Sequence, residues 1–156
     1  MKRYIALVIA IVIGGFVLSA NAQGPKPRAV ISDSTLPQQP LFTDYRGVKL
    51  GMSPEEVRAK LGNPVLKDEE LDYFAFSDDV SAQVVYDVTH HVKAISVDFA
   101  GGGGAPDYRA VVGPDVTTRA DGSIYGIVRY ESRGFWVSYN RTAGPVVIVT
   151  VTIQKI

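Results

Sequence analysis

His90 and His91 are the only histidines of the 156-residue chain, and imidazole is the side chain best suited to acid-base work or zinc ligation near neutral pH. They are adjacent, in a turn-like Thr89-His90-His91 stretch between two strand-like runs, and neighbours on extended backbone point to opposite faces. The pair reads as a solvated turn with no general-base role. Asp68, Glu69, Glu70 and Asp72 form an acidic run that has oxygens enough for calcium but lacks EF-hand spacing. Asp78 and Asp79 lie beyond the other end of a strand about 20 Å long, too far to share an ion with that run. A hydrated acidic rim is the expected role. Gly101 to Gly104 invite comparison with a phosphate loop, which needs a Lys-Ser/Thr and a helix N-terminus after the glycines. Ala105-Pro106-Asp107-Tyr108 supplies neither, so the glycines read as a flexible joint. The sequence has no cysteine, no Gly-x-Ser-x-Gly and no His-Glu-x-x-His, so no catalytic residue, metal ligand or cofactor is assigned.

The remaining chemistry is recognition. Tyr125, Tyr130, Phe135, Trp136 and Tyr139 gather on two strand-like runs joined through Glu131-Ser132-Arg133-Gly134. Alternation puts Phe135, Val137 and Tyr139 on one side and Trp136, Ser138 and Asn140 on the other. Trp, Tyr and Arg dominate binding hot spots, so Tyr125, Tyr130, Arg133 and Trp136 are the candidate partner-binding residues. The competing reading makes Trp136 ordinary core beneath a second layer or the N-terminal segment. Asn140-Arg141-Thr142 is a glycosylation sequon, relevant only in a eukaryotic secretory pathway.

These residues need a scaffold, and its clearest element is a short helix. Ser53 stands at the N-cap, Pro54 at the first helical position and Glu56 at the third, a capping box contributing about 1 kcal/mol. Met52, Val57 and Leu61 share one side, with Glu55, Arg58 and Lys60 facing water. Gly62 ends the helix and Pro64 prevents its restart. So short a helix is not stable alone and must lie on a sheet. Strand-like runs follow at Leu71 to Ser77, Ala82 to Val88 and Val92 to Phe99, spaced as antiparallel hairpins. The pattern then recurs. Leu61-Gly62-Asn63-Pro64 is echoed by Val112-Gly113-Pro114-Asp115, Tyr73 by Tyr125, Val84 to Tyr86 by Val137 to Tyr139, and Ile95, Val97 and Phe99 by Val149, Val151 and Ile153. The expected fold is a two-layer α+β body: an antiparallel sheet of about six strands, built from two helix-plus-three-strand units, with short helices packed on one face. Unit one would span 41–100 and unit two 105–156 of a single domain, 41–156.

The N-terminus sets the expected compartment. Lys2 and Arg3 precede an apolar run from Tyr4 to Leu18, and Ala20-Asn21-Ala22 places small residues where a signal peptidase reads, so 1–22 reads as a signal peptide. The alternative is an uncleaved inner-membrane anchor, since no charge intervenes between Arg3 and Lys26 and that length just spans a core about 30 Å thick. Residues 23–40, with Pro25, Pro27, Pro37 and Pro40, read as a disordered, Pro-rich tether. Cleavage before Gln23 removes two of the 16 basic residues and none of the 16 acidic ones, leaving a net charge of −2. Neither nucleic acid nor an anionic membrane surface is then an expected partner. A chain without disulfides must rest on its core, and one of this size buries roughly two thirds of its unfolded surface.

Gly51-Met52-Ser53-x-x-x-Val57-x-x-x-Leu61-Gly62-x-Pro64, then Tyr73-Phe74, Val84-Val85-Tyr86-Asp87 and Val92-x-x-Ile95, resembles the SmpA/OmlA (BamE-like) family of small envelope proteins. The tandem arrangement is similar to the β-lactamase-inhibitor-protein fold. The resemblance covers Val48 to Phe99 and implies envelope assembly or protein binding. The chain departs from the family in lacking its lipid-bearing cysteine, and with it that route to membrane attachment. The expectation is a periplasmic or secreted, non-catalytic module that engages another envelope or extracellular protein through an open sheet face. A secreted inhibitor or glycan-binding module is the alternative, and a small hydrolase the third choice.

Overall fold

The computed structural model describes residues 39–156, so the expected signal peptide 1–22 and nearly all of the tether 23–40 lie outside the described residues. In chain order the elements are α1 (Pro54–Leu61), β1 (Leu66–Lys67), β2 (Leu71–Ala75), β3 (Val80–Tyr86), β4 (Val92–Ala100), α2 (Tyr108–Val111), β5 (Thr117–Thr118), β6 (Ile124–Tyr130), β7 (Phe135–Arg141) and β8 (Ile148–Lys155). All eight strands form one antiparallel sheet in the order β1-β2-β3-β4-β8-β7-β6-β5. This corrects the six-strand α+β expectation of two helix-plus-three-strand units. The body is chiefly one continuous sheet, β1 and β5 extend it at both edges, and α2 is a single turn of four residues. Two-residue strands such as Leu66-Lys67 and Thr117-Thr118 carry no readable alternation, because a period of two needs several repeats to show.

The ladder is pinned where sequence halves meet. β4 and β8 pair through Ile95↔Ile153, Val97↔Val151 and Phe99↔Val149, joining residues fifty or more positions apart. Those six side chains, with Phe74, Val84, Tyr86, Val137 and Tyr139, belong to one buried cluster on one face. Both helices lie on that face. Val57 of α1 and Val111 of α2 are fully buried in the cluster, and Tyr108 of α2 packs edge-on against Tyr139 with ring centroids 6.1 Å apart.

The capping box forms as its residues require: the Glu56 amide donates to Ser53 Oγ at 3.3 Å and the Ser53 amide to Glu56 Oε2 at 2.8 Å. α2 is capped by Asp107, whose Oδ1 accepts from the Arg109 amide at 2.8 Å. It sits close because β6 carries Gly126 beneath it. A Cβ built on Gly126 would fall 2.8 Å from a Val112 methyl and 2.9 Å from a Val116 methyl. Gly101 to Gly104 make a turn tied to its surroundings by Gly101 N–H donating to Val147 C=O at 2.7 Å. Three of the four take positive φ, the conformation glycine adopts without a Cβ penalty.

Candidate functional site

Side chains on the second face of the sheet take no part in the buried cluster. Reading across the ladder, one row runs Arg129, Trp136, Gln154, Ala94, Val85, Leu71 and the next runs Ile127, Ser138, Thr152, Ser96, Gln83, Tyr73. A third row places Tyr125, Asn140, Thr150 and Asp98 side by side. The middle of this face is polar and internally bonded. Ser96 Oγ and Thr152 Oγ1 lie 2.9 Å apart, and Thr150 Oγ1 donates to Asp98 Oδ1 at 2.6 Å. Large side chains stand at its ends, with Tyr73 and Leu71 on β2, and Tyr125, Ile127 and Trp136 on β6 and β7. Four strand spacings separate Tyr73 from Trp136, about 19 Å.

The sequence-based candidates divide between faces. Tyr125 is 42% exposed and Trp136 half-buried on the uncovered face. Ile127, 37% exposed, lies between them along β6, and Arg129 stands directly opposite Trp136. Tyr130 is corrected: it is 4% exposed and part of the buried cluster, its ring 5.1 Å from that of Phe135. Five residues separate it from Tyr125, and an odd separation on a regular strand reverses the face. Arg133 also leaves the patch. It ends the 3-10 turn Glu131–Arg133 and borders a groove with Lys49, Leu50, Phe135 and Ile153, on the side that carries the helices. Ile127 and Arg129 were legible as partners of Tyr125 at i+2 and i+4, a signal weaker than that of the aromatic residues around them.

The acidic run is corrected at its last member. Asp72 is fully buried, and Arg58, expected to face water, turns in to meet it. Arg58 Nε donates to Asp72 Oδ2 at 2.8 Å and Nη2 to Oδ1 at 3.0 Å, while Tyr86 Oη donates to Oδ2 at 2.8 Å. Both carboxylate oxygens are thus satisfied, as burial of a charge demands. Burial first, then the bond to Asp72, pushes the Tyr86 phenol above its ordinary value, and the same carboxylate raises Arg58. Because the folded-state value of Tyr86 is raised, its contribution is complete below the unfolded value of about 10 and fades as pH climbs through the folded one. Denaturant titrations from pH 7 to 11 should show the wild type losing stability above about pH 10 more steeply than Tyr86→Phe. Parallel curves would mean that Tyr86 ionises as freely folded as unfolded.

The turn after β3 is bonded mostly to itself, with one ion pair to the C-terminal strand. His91 Nδ1 lies 2.7 Å from the Thr89 carbonyl two residues back, and His90 takes φ 56° in an exposed turn. Asp87 is held below the usual carboxylate range by the Thr89 hydroxyl first and Lys155 second, the latter 3.0 Å away. Among the described residues no three His, Cys, Asp or Glu side chains converge as metal ligands, and no helix is long and apolar enough to cross a membrane.

No family model matches the chain, and no curated protein matches it. A crystal structure of a DUF4309 family protein (YjgB) from Bacillus subtilis subsp. subtilis str. 168 is similar with a TM-score of 0.40 and 13% identity, covering 67% of this chain and 78% of that one. Likeness at that level carries no argument about fold or function.

Proposed function

We propose that this chain is an exported, non-catalytic binding module that docks another protein of the bacterial envelope or extracellular space on the β6–β7 end of its uncovered sheet face. What supports the reading is one observation: Tyr125, Ile127 and Trp136 stand together on a face that contributes nothing to the buried cluster. Tyrosine, tryptophan and a flanking arginine, here Arg129, are the side chains that concentrate binding energy at protein interfaces. Export is read from the N-terminal sequence, and the SmpA/OmlA resemblance of Val48 to Phe99 belongs to the same reading. A glycan is the second occupant considered, favoured by the hydroxyl and amide band of Ser138, Thr152, Ser96 and Gln83 between aromatic ends.

The test is site-specific photo-crosslinking in living cells. A photo-reactive residue at Asn140, exposed beside Tyr125, should give a discrete protein adduct, and one at Lys60 on the helix-bearing side should not. Trp136→Ala should reduce the Asn140 adduct at least about tenfold, the effect of losing an interface anchor. Its melting temperature should shift by no more than about 2 °C, since no core contact is removed. Equal adducts from both positions, or a melting point lowered by many degrees, would refute the docking surface. Retention on polysaccharide that Trp136→Ala abolishes, with no protein adduct, would favour the glycan.

A further inference from the structure

The hydrogen-bond parity of β6 leaves part of one sheet edge without a backbone partner among the described residues. Arg119 N–H donates to Ser123 C=O at 2.9 Å and Thr117 stands opposite Tyr125, so odd-numbered residues of β6 turn their backbone groups towards β5. The other side of the strand gives the same answer. Thr142 N–H bonds Ile148 C=O and Ile156 N–H bonds Gly134 C=O, both at 2.9 Å. Even-numbered residues of β7 therefore face β8, its odd ones face β6, and Val137 pairs with Val128. β5 covers only Ile124 and Tyr125, because the chain before it curls away through Val116 N–H to Pro114 C=O at 3.0 Å. Beyond Tyr125, the N–H and C=O of Ile127 and Arg129 point out of the sheet with no backbone partner among the described residues.

We infer that this stretch of β6 is a strand acceptor: an extended segment of another polypeptide adds beside it, continuing the line that β5 begins. The occupant is defined by what the edge presents. Unpaired amides alternating with carbonyls recognise extended backbone, the mode by which peptides join exposed sheet edges. Side chains of the added strand would stand beside Ile127 and Arg129 on the uncovered face, where opposite positions interact directly. Arg129 is exposed and enters no ion pair among the described residues. The fitting segment therefore carries an apolar residue opposite Ile127 and a carboxylate two positions along, opposite Arg129. A bare edge is a hazard that folded proteins usually cover or blunt, and a lone arginine blunts this one only partly. The inference rests on the docking reading proposed above and specifies how the partner engages it.

The probe is a capped, fluorescently labelled peptide, Thr-Val-Thr-Glu-Thr-Val-Thr, titrated into the full chain. Saturable binding is expected, accompanied by slowed exchange of the Ile127 and Arg129 amides, which exchange freely beforehand. Proline is tolerated in a strand where its missing N–H faced outward, so Ile127→Pro should remain folded and bind at least tenfold more weakly than Ile127→Ala. Should that variant unfold, Arg129→Glu supplies the decision: it should lose the glutamate peptide and gain the version with lysine in its place. No binding, no difference between proline and alanine, or no exchange of preference on charge reversal would overturn strand addition. Amides of Ile127 and Arg129 already as slow as that of Val128 in the free protein would overturn it too, showing the edge filled by the chain itself or a second copy. If Trp136→Ala abolishes the Asn140 adduct while Ile127→Pro spares it, the face binds its partner and only the edge pairing is wrong.

Discussion

Asp72→Ala should destabilise the folded protein by about 3–5 kcal/mol, measured by urea unfolding at pH 7, because it removes the shared acceptor of a buried charge network. Arg58 spans from α1 to β2 through two bonds to this carboxylate, and Tyr86 reaches it from β3. Without it, the Arg58 guanidinium and the Tyr86 hydroxyl lose their partner at once, and Tyr86 is only 1% exposed. An unsatisfied buried hydroxyl alone costs about 1–3 kcal/mol. Arg58 keeps some access to water, its side chain being 20% exposed, which holds the loss within that range. Replacing all three by apolar groups, Arg58→Met, Asp72→Leu and Tyr86→Phe together, should recover much of the loss, since desolvation of the charges disappears with them. A single-variant loss below about 1 kcal/mol would mean the network contributes nothing beyond an exposed ion pair.

Gly126→Val should cost about 3 kcal/mol by overpacking. The added Cβ would lie inside the contact distance of Val112 and Val116, so α2 and the segment after it must lift from β6 before the branched methyls are placed. Val112→Ala in the same chain removes both γ-methyl groups of Val112, including the one that opposes the added Cβ, and should restore part of the stability, giving a coupling of about 1 kcal/mol or more in a double-mutant cycle followed by thermal unfolding. Additive losses would show that the strand, rather than the contact with Val112, resists the substitution. The consequence reaches the docking surface. Ile127 and Tyr125 flank Gly126 on the opposite face, and a shift of β6 would move both.

Much of the local structure was written in neighbouring residues. Ser53, Pro54, Glu56 and Gly62 bound α1 as their types require, and the strands from Leu71 to Ala100 lie close to their expected positions. Alternation separates Phe135, Val137 and Tyr139 from Trp136, because β7 is a regular strand of seven residues without a bulge, and which of the two sides is covered came from the structure. The same rule would have separated Tyr125 from Tyr130. Aromatic clustering outweighed parity in the reading of that pair, and parity was the better guide.

Other features had no signature in adjacent residues. Asp72 looks like one more charge in an acidic run, and its burial depends on Arg58 and Tyr86, each fourteen positions away, meeting it across three elements. Arg133 follows its 3-10 turn to the helix-bearing side, a direction set by the chain path after β6. The eight-strand layer likewise depends on pairings of two residues at β1 and β5, too short to leave a period. Sequence determined where the helix stops, which runs extend and which way most side chains alternate, since those follow from caps, turns and a repeat of two. Tertiary structure alone decided which strands are neighbours, which charge is buried and which edge of β6 has no backbone partner among the described residues, because each is a relation between segments far apart along the chain.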